Sequence, residues 1–172
     1  MTIKLFAAAS IVAVAAMAQA VDVKLQTPGS MTFTSNVGRF QVTLPGQPSY
    51  QAKKIKAQPG FDTMHCYTLE PRPGYAFLVM YSDLPVRPAN PSAALDDVLK
   101  NYAADGQHRV VKHVTLTLEG HPGRGVIVED ATYKYIVTDY LAGARLYQVM
   151  VVMPKVDVPE DAATFLKSFR IL

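Results

Sequence analysis

The sequence has almost none of the residues that cross-link exported proteins or carry thiol chemistry. Its 172 residues include one cysteine, Cys66, and no tryptophan. A single cysteine cannot form an intramolecular disulfide, so packing must stabilise the fold. The Cys-x-x-Cys redox motif and the Cys-x-x-Cys-His haem motif are both absent. Cys66 lies in a strand-like run, which favours a buried thiol that acts as a small hydrophobe.

Excess charge and long apolar runs are also scarce. The chain has 17 basic and 14 acidic residues, a balance that indicates neither a nucleic-acid nor an anionic-membrane partner. Its basic cluster, Lys53, Lys54 and Lys56, is typical of an edge strand guarded by lysines, with an anion patch as the alternative. The apolar run at residues 5–18 is shorter than the roughly 20 residues that span a bilayer. We expect no membrane span.

The N-terminal segment indicates export. Lys4 precedes the apolar run, and the small-x-small triplet Ala18-Gln19-Ala20 follows it. This is the pattern of a secretory signal peptide. We expect a signal peptide at residues 1–20, a connector at 21–36, and one domain at 37–172, in a periplasmic or secreted protein.

The clearest predicted element is a hairpin of residues 133–141 and 145–153. Gly143-Ala144 suits a two-residue type II′ turn, and this register places Tyr140 opposite Tyr147. Both faces of the hairpin are apolar, so we expect both to be covered. Other strands are predicted at 39–44, 49–57, 61–69, 75–81, 110–118 and 124–129.

Two segments have helical spacing. Residues 91–104 have apolar residues at intervals of three and four, with Asn90 as the N-cap and Gly106 beyond the end. Residues 160–169 form a second, short amphipathic segment. The regular alternation of 110–118 predicts that Val110 shares a face with Val114.

The segment LEGHPGRG, residues 118–125, has the glycine spacing of a phosphate-binding loop. Such a loop continues with Lys and Ser or Thr into a helix, whereas Val126 and Ile127 follow here and begin a strand. The segment therefore predicts a turn between two strands. We expect turn residues at Pro122 and Gly123, and solvent-facing side chains at Glu119, His121 and Arg124.

No arrangement of residues indicates catalysis. The sequence lacks a Gly-x-Ser-x-Gly elbow, and His65 points away from the adjacent Cys66 on a strand. His108, His113 and His121 have no ligand spacing, so each is expected on the surface or in a loop. A metal site built from distant segments is the alternative. We predict no catalytic residue, no cofactor and no metal.

The tyrosines are the candidate site residues. In the predicted hairpin, Tyr133 and Tyr135 share one face, and Tyr140 and Tyr147 share the other. Packing in the core and at its rim is the ordinary interpretation; the alternative is a ligand pocket or partner surface formed by these four residues.

Four short motifs occur in order along the chain. They are Phe40-x-Val42-x-Leu44-Pro45-Gly46-x-Pro48, Leu116-x-Leu118-x-Gly120-x-Pro122-Gly123-Arg124, Arg145-Leu146-Tyr147-Gln148-Val149 and Phe165-Leu166-x-Ser168-Phe169-x-Ile171. Together they resemble uncharacterised exported bacterial proteins of the PsbP-like class, whose fold is also that of the Ran-binding Mog proteins. The resemblance implies an α+β fold: an antiparallel sheet with helices on both faces, in an α/β/α sandwich.

The resemblance also implies an accessory role, because relatives with this fold are mostly binding proteins without enzymatic activity. The leading hypothesis is an exported, non-catalytic accessory or binding protein with an unknown protein or small-molecule partner. A small-ligand carrier with a tyrosine-lined cleft is the first alternative. A metal-dependent or hydrolytic enzyme is the second.

Overall fold

The computed structural model describes residues 29–57 and 60–172, which form two antiparallel sheets and two short helices. The predicted signal peptide at residues 1–20 lies outside the described residues. The strands are β1 (Met31–Ser35), β2 (Phe40–Leu44), β3 (Ser49–Ala57), β4 (Gly60–Arg72), β5 (Tyr75–Asp83), β6 (Arg109–Leu118), β7 (His121–Glu129), β8 (Tyr133–Ala142), β9 (Arg145–Pro154) and β10 (Arg170–Ile171). The helices are α1 (Pro91–Asn101) and α2 (Glu160–Ser168).

The larger sheet has seven strands in the order β3-β4-β5-β9-β8-β7-β6, and the smaller has three in the order β1-β2-β10. β3 and β6 are therefore the edges of the larger sheet. The edge position of β3 confirms the prediction from Lys53, Lys54 and Lys56. No helix among the described residues is long and apolar enough to cross a membrane.

The predicted hairpin is confirmed in its register. Tyr140 pairs with Tyr147, and Leu141 with Leu146, across β8 and β9. Gly143 has φ +66°, a conformation that glycine adopts without strain. This hairpin supplies two central strands of the larger sheet.

Both faces of the larger sheet are covered. On one, which we call the helix face, Leu95 of α1 packs in a cluster with Met150 of β9. On the other, the small-sheet face, Phe40 of β2 and Phe165 of α2 pack in a cluster with Val149. The sheet is consequently buried on both sides, as the apolar hairpin predicts.

The predicted fold class is wrong, because the structure is mostly β and is not an α/β/α sandwich. A second sheet occupies much of the face where the prediction places only helices. Within the predicted connector at 21–36, β1 pairs with β2, and the C-terminal β10 pairs with the other edge of β2. These strands have five and two residues, too short for a periodic signal of their own.

Two local predictions differ in detail. Between Val110 and Lys112, a bulge in β6 interrupts its pairing with β7. Val110 therefore packs towards the helix face, while Leu116 packs towards the small-sheet face. The predicted common face of Val110 and Val114 is therefore wrong. The helix predicted at 91–104 is confirmed, with the Asn90 side chain accepting from Ala93 N, but α1 ends at Asn101.

The turn in LEGHPGRG is shifted from its predicted place. Glu119 and Gly120 have φ values of +52° and +81° and join β6 to β7. Pro122 and Gly123 are not turn residues but part of β7. The prediction follows the usual turn preference of Pro-Gly, whereas the pairing of Leu118 with His121 closes the hairpin three residues earlier.

Candidate partner surface

A row of aromatic side chains crosses the small-sheet face. His65 of β4, Tyr81 of β5, Tyr147 of β9 and Tyr140 of β8 occupy successive paired positions, and the row ends at Gly123 of β7. The rings of His65 and Tyr81 stack with centroids 4.5 Å apart, and those of Tyr81 and Tyr147 lie 6.2 Å apart. The row thus spans five neighbouring strands.

Gly123 leaves space for the end of this row. A Cβ at this position would lie 2.5 Å from Cδ1 of Tyr140 and 2.7 Å from the carbonyl oxygen of Asp139. Both separations are far below van der Waals contact, and the second involves backbone. The Tyr140 ring can lie against β7 only because position 123 has no side chain.

Phe169, which follows α2, packs between the small sheet and the aromatic row of the larger sheet. Its ring stacks on Tyr140 at 6.0 Å, meets Tyr147 edge-on at 5.6 Å and lies 5.8 Å from Phe40. All four side chains are buried. Aromatic contacts of this geometry contribute beyond the area they bury, so this cluster holds the two sheets together.

At its other end the row leaves the core. Tyr50 of β3 has its ring 51% exposed, and its Oη is hydrogen-bonded to Nδ1 of His65 at 2.7 Å. The Tyr50 ring also lies 5.0 Å from that of Tyr67. Burial, reinforced by neighbouring Tyr67, raises the pKa of Tyr81 to about 12, so the Tyr81 hydroxyl stays protonated. Tyr50 and His65 form the exposed end of a packed aromatic stack.

Arg145 connects this end to the turn between β1 and β2. Its guanidinium lies 4.6 Å from the centre of the Tyr81 ring and donates to both oxygens of Asp83 at 2.6 Å. It also donates to the carbonyls of Val37 and Gly38 at 3.0 and 3.1 Å. Hydrogen bonds from Arg145 hold the pKa of Asp83 below its usual range.

These contacts create one surface, which we call the aromatic patch. Val37 is 76% exposed beside Arg145, and Arg39 is exposed at the end of the same turn. Lys54 is exposed and shares the strand face of Tyr50. Neither Arg39 nor Lys54 forms an ion pair within the described residues, so the patch has a positive charge surplus. The aromatic patch consists of Val37, Arg39, Tyr50, Lys54, His65 and Arg145.

The four predicted site tyrosines do not form one cluster. Tyr133 and Tyr135 pack towards the helix face, and Tyr140 and Tyr147 towards the small-sheet face, which confirms their predicted division between faces. Tyr135 and Tyr147 are completely buried. As a ligand or partner surface, this set stays a prediction.

Arg124 does not lie at the solvent-facing rim, as predicted, but is buried under α1. Its guanidinium donates to Asp96 at 2.9 Å, to the carbonyl of Ser92 at 3.4 Å and to that of Gly123 at 3.0 Å. It therefore ties β7 to α1. Exposed Glu119, also predicted at the rim, accepts a hydrogen bond from the Ile171 amide.

His108 lies in the loop between α1 and β6, within the predicted surface or loop placement, and its side chain is buried there. Its Nδ1 is hydrogen-bonded to Asp105 at 2.6 Å, and its Nε2 lies 3.8 Å from a carboxylate oxygen of Asp130. Asp130 also accepts from the Tyr135 hydroxyl at 2.5 Å. The cluster links the segment after α1 to the turn between β7 and β8. Across the described ranges, no three His, Cys, Asp or Glu side chains could hold a metal ion.

Cys66 is half-buried at the edge of the helix-face core, and its thiol is hydrogen-bonded to the Thr68 hydroxyl at 3.2 Å. Burial raises the pKa of the Cys66 thiol. The thiolate, the reactive form, is therefore disfavoured.

Asp139 is a fully enclosed carboxylate on the helix face. It accepts from the Tyr102 hydroxyl at 2.9 Å and from the Gln148 amide at 3.1 Å. Burial raises the pKa of Asp139 to about 7. Shifted carboxyl groups often mark active sites, but Asp139 is 0% exposed and its neighbours are themselves buried. The geometry supports a structural role beneath α1.

Sequence reasoning missed Tyr50 and Arg145 as surface-forming residues, and Tyr81 as the buried ring between them. A usable signal existed: the turn residues in the sequence Gln58-Pro59-Gly60 predict that the strands at 49–57 and 61–69 pair, and the observed β3–β4 register brings Tyr50 within hydrogen-bond distance of His65. Nothing in the local sequence indicates that Arg145 reaches the β1–β2 turn, because the two are more than 100 positions apart.

Comparisons with known proteins identify a structural neighbour but no sequence family. No protein-family model matches the sequence. No curated protein matches it either. The structure is similar to the solution structure of cyanobacterial PsbP (CyanoP) from Synechocystis sp. PCC 6803, with a TM-score of 0.55 and 7% identity over 90% of this chain and 99% of that chain. This likeness confirms the PsbP-like expectation for the fold, while the Mog-type link and the exported bacterial branch stay predictions.

We predict that Gly123→Ala destabilises the protein strongly, because Tyr140 and the backbone at Asp139 must both move. The loss in free energy of unfolding should be about 1–3 kcal/mol, as for overpacked cores. The matched control is Gly46→Ala, where the nearest atoms to an added Cβ are side-chain carbons of Leu69 at 3.6 Å. Denaturant unfolding measures both variants. Equal stabilities would contradict the steric role of Gly123.

We predict that the stability difference between Asp139→Asn and the native protein depends on pH. Between about pH 4 and pH 7, the folded state keeps a proton on Asp139 that the unfolded state has lost, so this group lowers stability as pH rises. The variant should gain relative stability over this window, by at most about 1.4 kcal/mol per pH unit. Denaturation at pH 4, 5.5 and 7 measures the difference. A constant difference would contradict the raised pKa.

Proposed function

We propose that the protein is a non-catalytic accessory or binding module that contacts a protein partner through the aromatic patch. The observation that carries this proposal is the stack of Tyr50, His65 and Tyr81 with Arg145 over the Tyr81 ring. The end of the stack, Tyr50, is exposed, and so is Val37, whose carbonyl accepts from Arg145. The predicted signal peptide favours a role outside the cytoplasm. The PsbP-like resemblance implies an accessory role of the same kind.

The composition of the patch favours protein recognition. Tyrosine and arginine are enriched among residues that dominate binding energy, and the large exposed side chains here are Tyr50 and Val37. Arg39 and Lys54 surround them with unpaired positive charge, since Asp83 is already bonded to Arg145. The fitting partner is therefore an acidic protein surface with an apolar centre.

The patch is also held in place before binding. Arg145 is fixed by four hydrogen bonds, to Asp83 and to the carbonyls of Val37 and Gly38. Tyr50 is fixed by its bond to His65 and its contact with Tyr67. Side chains that are ordered in advance lose little conformational entropy on binding.

The buried polar and charged side chains support a non-catalytic role. Asp139, Arg124 and His108 each bind neighbouring protein groups and tie secondary-structure elements together. Burial raises the pKa of the enclosed Asp139 carboxyl group to about 7. A general acid or base must reach its substrate, and Asp139 does not reach the surface.

We predict that Val37→Ser/Tyr50→Ser abolishes partner capture while leaving the fold intact, because both side chains are largely exposed. Affinity capture uses the extracytoplasmic fraction of the source organism and the native protein as bait. The matched control is Val156→Ser/Val158→Ser, which removes two valines that are 49% and 44% exposed elsewhere. We expect native and control baits to retain the same protein, and the Val37/Tyr50 variant to retain at least tenfold less.

Raising the salt concentration should weaken capture by the native bait, because the patch has surplus positive charge. Thermal unfolding of all three baits confirms that they are folded. The proposal fails if the native bait retains no protein, or if the Val37/Tyr50 variant retains as much as the control.

A further inference from the structure

β6 is the other edge of the seven-stranded sheet, and half of it has no protection against pairing. Its first half contains a bulge together with Arg109 and Lys112, which are common means of protecting an edge. Residues 113–118 pair regularly with β7 and include no Asp, Glu, Lys, Arg or Pro. Such an edge offers unpaired backbone groups to an additional strand.

The side chains of this half present a different surface on each face. Val114 is 43% exposed, and Leu116 and Leu118 are half-buried on the small-sheet face. Thr115 and Thr117 are exposed on the opposite face. Apolar residues thus alternate with threonines, and the segment can extend the sheet on both faces at once.

We propose that β6 pairs antiparallel with β6 of a second copy of this chain, on a two-fold axis at Leu116. In this register each apolar residue faces an apolar residue and each threonine faces a threonine, which are favourable cross-strand pairs. The pairs are Leu116 with Leu116, Val114 with Leu118, and Thr115 with Thr117, each across the axis.

The residue pattern of β6 favours a second copy as the occupant. The paired segment, residues 114–118, contains no charged side chain, so no two cations face each other. Lys112 and His113 lie beyond these pairs, and Glu119 is in the turn, where it accepts from the Ile171 amide. The residues needed on the second strand are those that β6 already contains. A two-fold contact uses both β6 edges, so assembly stops at a dimer.

The dimer is independent of the aromatic patch. β6 lies at the edge opposite β3, which bears Tyr50 and Lys54. Dimerisation through β6 joins two seven-stranded sheets and leaves both aromatic patches available. Loss of the dimer and loss of partner capture are therefore separate results.

Two variants test the register by sedimentation velocity over a range of protein concentrations. Thr115→Glu/Thr117→Glu places like charges opposite each other twice across the axis. Thr115→Glu/Thr117→Lys differs from it only at position 117 and places opposite charges opposite each other at both of these pairs. Both replaced side chains are exposed, so both variants should fold, and circular dichroism checks this.

We expect a concentration-dependent dimer for the native protein. The double-Glu variant should raise the dissociation constant at least tenfold, and the Glu/Lys variant should dimerise as well as the native protein or better. A native protein that stays monomeric overturns the proposal, as do equal dimerisation of the two variants and assembly beyond dimers. Protection of β6 amides only after another protein binds would assign this edge to that protein and overturn the proposal as well.

Discussion

The contact between Phe169 and the aromatic row joins the small sheet and α2 to the larger sheet. Phe169 follows α2 and touches Tyr140, Tyr147 and Phe40, which belong to three strands in two sheets. The chain then enters β10 and pairs with β2. Phe40 also contacts Tyr67 and Tyr81, and Phe165 of α2 stacks on Phe77, so the same aromatic core attaches both elements to the larger sheet.

The same row explains why a surface at one end of the molecule is ordered. Tyr147 donates its hydroxyl hydrogen to the Gly38 carbonyl at 2.8 Å, and Arg145 binds the same turn from the same strand. The turn between β1 and β2 therefore rests on β9, a central strand of the larger sheet. The aromatic patch is the exposed continuation of a packed core, and the proposed partner surface follows from that continuity.

Local sequence patterns predicted the elements that are determined by residues close together in the sequence. Gly143-Ala144 defines the β8–β9 register, and Asn90 defines the start of α1, so both predictions are confirmed. The small sheet depends on pairings between β2 and residues near the C-terminus, which no window of sequence contains. The four motifs that carry the PsbP-like resemblance all contribute to the small-sheet face, through Val42, Leu116, Val149 and Phe165. They marked the right face, but did not reveal that a sheet covers it.

The segment LEGHPGRG shows that distant contacts also decide the roles of single residues. Its glycines suggested bending, yet Gly123 is required by the Tyr140 ring, and Arg124 is required by α1. Hydrogen exchange of the native protein, with and without its captured partner, shows whether the aromatic patch is the surface that binds the partner. We expect new protection at residues 37–39, Tyr50 and His65; protection confined to other parts of the chain, with these amides unchanged, would contradict the proposed partner surface.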